Sequence, residues 1–183
     1  MIEITEIEGP NRVSSHYCSS WVAHMSSSTN KEPPLAQAYD YRVVAWWTSG
    51  RTGIAKTGSA PNALHFTAPP QFGGLEGRWT PEDLLLTAVA SCYTTTFRAL
   101  ADYSKFEYAD LEVEVGGRAQ KIESGYAFTA LVTRPTLTIA SEDDRVRAVR
   151  LLEKTQELCL VARALAVPHS LEPRIQVGSV LHS

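Results

Sequence analysis

The sequence predicts a single α+β domain with the element order βββ-α-ββ-α-β. Three observations predict it. One long apolar helix lies mid-chain, from Thr80 to Tyr103. Runs of β-branched and aromatic residues, punctuated by Gly, Pro and Asn, flank it on both sides. A second helical period, Ser141 to Ala166, precedes a final strand.

The first helix carries its own start signals. Thr80 is a good N-cap, and Pro81 suits the first helical position, where a missing N–H costs nothing. Asp83 stands where a capping box needs an acceptor, and Glu82 with Asp83 puts negative charge at the positive end of the helix dipole. Leu84, Leu85, Leu86, Ala88, Val89 and Ala90 leave almost no polar face. A helix apolar all round is expected to be buried all round. The reading is therefore a central helix wrapped by other structure, with Cys92 inside it.

Before that helix, Asp40 to Thr48 reads as a strand, the Ser49-Gly50-Arg51-Thr52-Gly53 run as a turn, Ile54–Thr57 as a short strand, and Ala63–Thr67 as its partner. Trp46 and Trp47 are expected in core and sheet packing. After the helix, Leu111, Val113 and Val115 alternate with Glu112 and Glu114, which marks a half-buried strand. Gly116-Gly117 is a candidate bulge, and Tyr126–Ala140 is the returning strand of a hairpin, with an interruption expected at Pro135. Ser141 caps the second helix, Pro168 stops it, and Leu171–Val180 is the final strand. Residues 1–37, with the run Ser26 to Pro34, read as an N-terminal extension and linker; 38–183 form the domain.

Composition bounds the function classes. The chain has 183 residues, 44% hydrophobic and 20% charged, as in a soluble globular domain. A net charge of -3 leaves no basic footprint for nucleic acid. No apolar run is expected to span a membrane, and MIEITEIEGP lacks the basic and apolar regions of a signal peptide, so a cytoplasmic location is expected. Three cysteines, Cys18, Cys92 and Cys159, make no disulfide scaffold, and with no CxxC a metal site is not expected; His16 beside Cys18 is the nearest approach to one.

Cys92 and Cys159 both lie on apolar helices, and two readings stand for them. They are core thiols, or they are redox groups. A reactive Cys92 needs a stabilised thiolate. The helix dipole fades within one turn, and Cys92 is about three turns in, so a cation must come from elsewhere. Arg51 at the turn tip is a candidate, the alternative being a solvated arginine. Glu82 can hold a guanidinium in a bidentate pair, or is simply a first-turn helix acid.

At this point the residues resemble a known family. TPEDLLLTAVASCYTTTF is similar to the signature helix of the OsmC/Ohr thiol-dependent hydroperoxide reductases, with Pro81-Glu82 near its start and Cys92 ten residues after the glutamate. The turn around Arg51 resembles the family's Gly-Gly-Arg-x-Gly. Cys159 to Leu165 resembles its Cys-Pro-Val-Ser-x-x-Leu, and Gly125-Tyr126-Ala127-Phe128 its hairpin turn. The resemblance implies the OsmC-like fold, antiparallel sheets wrapped around long central helices, in an intertwined homodimer. It implies that Cys92 is the peroxidatic cysteine and Cys159 the resolving one, with Arg51 activating Cys92 and Glu82 holding Arg51. It implies organic hydroperoxides as substrates. No bound cofactor is expected; an external dithiol, such as a lipoyl group, restores both thiols. Glu82 and Cys92 lie roughly 15 Å apart along one helix. Central helices packed antiparallel in a dimer would bring Arg51 and Glu82 of one chain to Cys92 of the other.

Departures from the pattern mark a divergent member. Leu160 replaces the proline after the second cysteine, so the helix from Ser141 is expected to run on through Cys159. Ala162 replaces serine, Tyr93 replaces phenylalanine, and Thr80 replaces asparagine. Two rival functions stand beside the peroxidase. One is a non-catalytic dimer of the same fold that binds a small apolar ligand or partner. The other is an unrelated two-layer fold with a wrapped helix and structural thiols, as in hot-dog thioesterases, which lack the paired cysteines.

Overall fold

A computed structural model describes residues 38–178. The extension 1–37, with Cys18, His16 and the Ser26 to Pro34 run, lies outside the described residues, as does the end of the expected last strand. Strands β1 (Val43–Trp47), β2 (Gly53–Thr57) and β3 (Leu64–Phe66) form an antiparallel meander. Val43 pairs with Thr57, Trp47 with Gly53, and Gly53 in turn with Phe66. The first turn uses Gly50 in the left-handed region (φ 60°), and its carbonyl accepts the Trp47 indole N–H at 3.0 Å. Gly53 has no alternative: a Cβ there would sit 2.4 Å from the Phe66 ring. β1 is exposed along its length. Trp46 and Trp47 are 43% and 54% exposed, so the expectation that they pack in a core fails within this chain.

Helix α1 (Pro81–Ser104) begins as its sequence dictates. Thr80 Oγ1 accepts from the Asp83 N–H at 3.2 Å, and the Thr80 N–H donates to Asp83 Oδ2 at 3.0 Å, a complete capping box. Lys105, left-handed at φ 52°, ends the helix. Val89, Tyr93, Phe97, Leu100 and Ala101 form the buried face. Thr87, Ser91, Thr94 and Thr95 lie on the other side, and Leu84, Leu85 and Leu86 are only half-buried. Within one chain the helix is therefore not buried all round. By length and mean hydropathy α1 is also long and apolar enough to cross a membrane, contrary to expectation, although its aromatic face is spent on the protein's own core.

Strands β4 (Asp110–Ile122) and β5 (Gly125–Ile139) form the long hairpin. Arg118 pairs with Ala130 but Ala119 pairs with Phe128, so Thr129 is the extra residue of a bulge, just beyond Gly116-Gly117. Thr129 Oγ1 bonds the Arg118 carbonyl at 3.2 Å. β5 runs through Pro135 without interruption. The reason lies on its other edge, where β6 (His169–Leu171) and β7 (Arg174–Val177) add in parallel. Leu131 N–H bonds Pro168 O, Thr133 O accepts from Glu172, and Ile139 O accepts from Gly178, so odd-numbered residues of β5 face that edge. Pro135 falls between the end of β6 and the start of β7, where no ladder bond needs its missing N–H. The expected final strand is thus two short strands split around Pro173, and this sheet is mixed rather than wholly antiparallel.

Ser141 caps a short 3₁₀ turn, Glu142–Asp144, and α2 (Arg145–Leu158) comes next. The helix does not run through Cys159. That residue adopts an extended conformation (φ -60°, ψ 107°), and a five-residue helix α3 (Leu160–Ala164) restarts after it. The break forms without the proline, because Cys159 is buried in the core between α1 and α2 rather than on a continuing helical face. Tyr93, Phe97 and Ala101 of α1, Leu137 and Ile139 of β5, and Ala148 and Leu152 of α2 close the core with Phe106 and Cys159. No residue of β1, β2 or β3 joins it.

Candidate active site

The fold brings together two sulfurs far apart in sequence. Cys92 projects half-buried from the middle of α1; Cys159 is completely buried at the α2–α3 break. Both are free thiols. Cys159 Sγ lies 4.0 Å from the Val89 carbonyl, one turn before Cys92 on α1. Burial pushes the Cys159 thiol up to about 11; the N–H of Ala162 opposes this, and a hydrogen bond and charge interaction with the Cys92 thiol add to the rise. Cys92 packs against the core cluster that holds Cys159, close enough for the thiols to interact, and burial keeps Cys159 protonated at neutral pH. The expected pair, Cys92 and Cys159, is thus placed side by side by the packing of α1 against the α2–α3 corner.

Arg51 and Glu82 are placed differently. Arg51 is exposed on the β1–β2 turn, its carbonyl accepting from Thr67 Oγ1 at 2.7 Å. Among the described residues its guanidinium forms no hydrogen bond or ion pair with Glu82 or Cys92. Glu82 sits in the first turn of α1, roughly 15 Å along the axis from Cys92. Its Oε2 is buried and has no hydrogen-bond partner. It borders two cavities, one of about 470 Å³ with Thr80, Leu86 and Phe128, the other of about 220 Å³ with Phe72 and Tyr126. Phe72 and Tyr126 meet edge to face at 5.1 Å. Among the described residues no three His, Cys, Asp or Glu side chains gather as metal ligands.

One residue of this neighbourhood was not singled out for a role by the sequence. Tyr93, beside Cys92, is fully buried and donates its hydroxyl to the Leu152 carbonyl of α2 at 2.8 Å. Burial raises its phenol well beyond the ordinary range, and negative charge at Cys159 raises it further. The available signal was its place in the Val89, Tyr93, Phe97 stripe, since a tyrosine buried there must find a partner for its hydroxyl.

Known proteins share this fold. YmaD of Bacillus subtilis (strain 168), itself uncharacterised, is 26% identical over 145 residues, covering 76% of this chain and 97% of that protein. An OsmC-like protein of unknown function from Vibrio cholerae superposes with a TM-score of 0.66 at 16% identity, over 74% of this chain and 99% of the other. An organic hydroperoxide resistance protein OsmC from Legionella pneumophila superposes with a TM-score of 0.61 at 21% identity, over 76% and 100%. These superpositions fix the fold. The family model for OsmC-like protein matches residues 74–172, a span that holds Glu82, Cys92, Tyr93 and Cys159 but not Arg51. The chain belongs to the OsmC-like family, in a fold that it shares with organic hydroperoxide resistance proteins.

Proposed function

We infer that this protein is a thiol-dependent peroxidase that reduces organic hydroperoxides to alcohols. The observation that carries the reading is the packing of Cys92 against the core cluster that holds Cys159, two free thiols that interact from α1 and the α2–α3 break. Their unequal burial supports unequal roles. Cys92 is the one a peroxide can reach, and Cys159, buried and protonated, is held in reserve. The Cys92 thiolate attacks one peroxide oxygen, the O–O bond breaks, the departing alkoxide takes up from solvent the proton that Cys92 gave up and leaves as the alcohol, and a sulfenic acid remains. The Cys159 sulfur then attacks the sulfenate sulfur; the S–S bond forms as the S–O bond breaks, and the hydroxyl departs with the Cys159 proton as water. An external dithiol returns both thiols by exchange.

The activating cation is Arg51 of a second copy, restrained by Glu82 of that same copy. Three observations support a composite site. Glu82 Oε2 is buried without a partner. The Leu84 to Leu86 face of α1 is half-covered, and the apolar residues of β1 are exposed. Burying a carboxylate without a cation is costly, so a guanidinium is the partner this oxygen calls for.

The test is a thiol titration before and after one equivalent of cumene hydroperoxide. Wild-type protein is expected to lose two thiols, and Cys92→Ser none. Unchanged thiols in the wild type would overturn the peroxidase reading in favour of a ligand-binding protein. Arg51→Ala is expected to slow sulfenate formation with the fold intact; unchanged kinetics would remove Arg51 from the site.

A further inference from the structure

Helices α1 and α2 are tied by a fully buried side-chain hydrogen bond, Tyr93 Oη–H to Leu152 O at 2.8 Å, alongside the longer buried contact of Cys159 Sγ with Val89 O at 4.0 Å. Tyr93 is the next residue after Cys92 on α1. Leu152 lies two turns before Cys159 on α2, also fully buried. The bond therefore sits in the layer beside the thiol pair and joins the helix of one sulfur to the segment that leads into the other. Negative charge at Cys159 is felt at the Tyr93 phenol, which makes these two side chains neighbours.

Cys159 itself is held by the long Sγ contact to Val89 O, 4.0 Å, and by its N–H to Thr155 O, 2.9 Å. The chain leaves helical geometry at this residue, and beyond it stands a helix of only five residues, starting at Leu160. No proline ring locks the break. The position of Cys159 then depends on how firmly the end of α2 is held against α1. A carbonyl oxygen has two lone pairs, so Leu152 O can accept from Tyr93 without losing its place in the helix.

The geometry points to Tyr93 as a positioning residue for the disulfide step: its hydroxyl holds α2 on α1 so that Cys159 stays within bonding reach of Cys92. This rests on the peroxidase reading for its role in turnover, though not for the geometry itself. A disulfide forms only when the Cα atoms lie about 4.4–6.8 Å apart with the right dihedral, so a small drift of α2 penalises closure. Attack of peroxide on Cys92 does not involve α2 and is unaffected.

Tyr93→Phe removes one oxygen and keeps the ring that fills the core. Rapid-quench mass spectrometry after cumene hydroperoxide separates sulfenate formation from condensation. In Tyr93→Phe, sulfenate formation is expected within about twofold of wild type. Condensation is expected to slow roughly three- to tenfold, the worth of one buried hydrogen bond, so that a dimedone adduct of Cys92 accumulates. A residue with a merely structural role would lower the melting temperature and leave the ratio of the two rates alone; an unchanged ratio overturns the assignment. Closure driven by diamide, which couples two thiols without a sulfenate, reads the same geometry independently of peroxide. Slower closure in Tyr93→Phe supports the assignment even if wild-type protein ignores hydroperoxides, and equal closure overturns it. Wild-type protein that closes with diamide yet forms no sulfenate sinks the peroxidase reading alone.

Discussion

Oxidation of the thiol pair should act as a measurable staple. Roughly 70 residues of chain lie between Cys92 and Cys159, and closing a loop of that length removes about 4 kcal/mol of freedom from the denatured chain. Native strain is expected to subtract little, because Cys92 packs against the cluster that holds Cys159 and the two thiols interact. For a chain of this size each kcal/mol moves the melting temperature by about 2–4 °C, so the oxidised protein should melt about 10 °C above the reduced form. The assay compares thermal unfolding by circular dichroism before and after one equivalent of cumene hydroperoxide, with loss of two hydrogens confirmed by mass. Cys159→Ser is the control and should show no rise. An oxidised wild type that melts at or below the reduced protein would refute the reasoning. So would a Cys159→Ser variant that rises equally, since the cross-link would then lie elsewhere.

The site carries two further expected outcomes. Because burial pushes the Cys159 thiol up to about 11 from an ordinary 9.0, the folded state keeps its proton in a window where the unfolded chain loses it. That contribution is whole below about 9, and stability should fall as the pH rises toward about 11; native Cys159 should resist iodoacetamide at pH 8, and its rapid labelling there would contradict its burial. Glu82→Gln should slow sulfenate formation about tenfold or more by rapid-quench mass spectrometry, because Arg51 of the same copy would lose the carboxylate that restrains it. Unchanged kinetics would mean that the buried Oε2 does not hold Arg51 for the reaction.

Local chemistry was legible in the sequence. Thr80, Pro81 and Asp83 start α1 by contacts within four residues, and the structure shows each of them. The alternation Leu111, Val113, Val115 placed β4 for the same reason. Errors arose where a residue's fate depends on a distant segment. Pro135 looks like a strand breaker, yet it is harmless because the neighbouring edge has its own gap at Pro173. Leu160 looks like a licence for an unbroken helix, yet Cys159 turns into the core and ends α2. The apolar run of α1 signals burial without saying what does the burying. Cys92 and Cys159 were paired only through the resemblance to the OsmC/Ohr motifs, and nothing in the sequence named the Leu152 carbonyl as the partner of Tyr93.

The protonation of the pair leads to the requirement for a cation. Cys159 is a thiol at neutral pH, so the proposed peroxidase reaction assigns the attack on peroxide to Cys92. Cys92 is about three turns into α1, beyond the reach of the helix dipole. Among the described residues no Lys or Arg side chain is hydrogen-bonded to it. On the proposed reading, the chain alone supplies the resolving half of the chemistry and the activating half comes from another chain. Arg51 and Glu82 differ in the support they have for that role. Glu82 lies inside the span matched to the OsmC-like family and carries an unpartnered buried oxygen. Arg51 lies outside that span, on an exposed turn, and stands only on its turn motif. Mixing Arg51→Ala protein with Cys92→Ser protein tests that role for Arg51. If the site is composite, heterodimers pair an intact Arg51 and Glu82 with an intact Cys92, and sulfenate formation returns in the mixture to about half the wild-type level per Cys92. If Arg51 serves Cys92 of its own chain, the mixture is no faster than the variants apart.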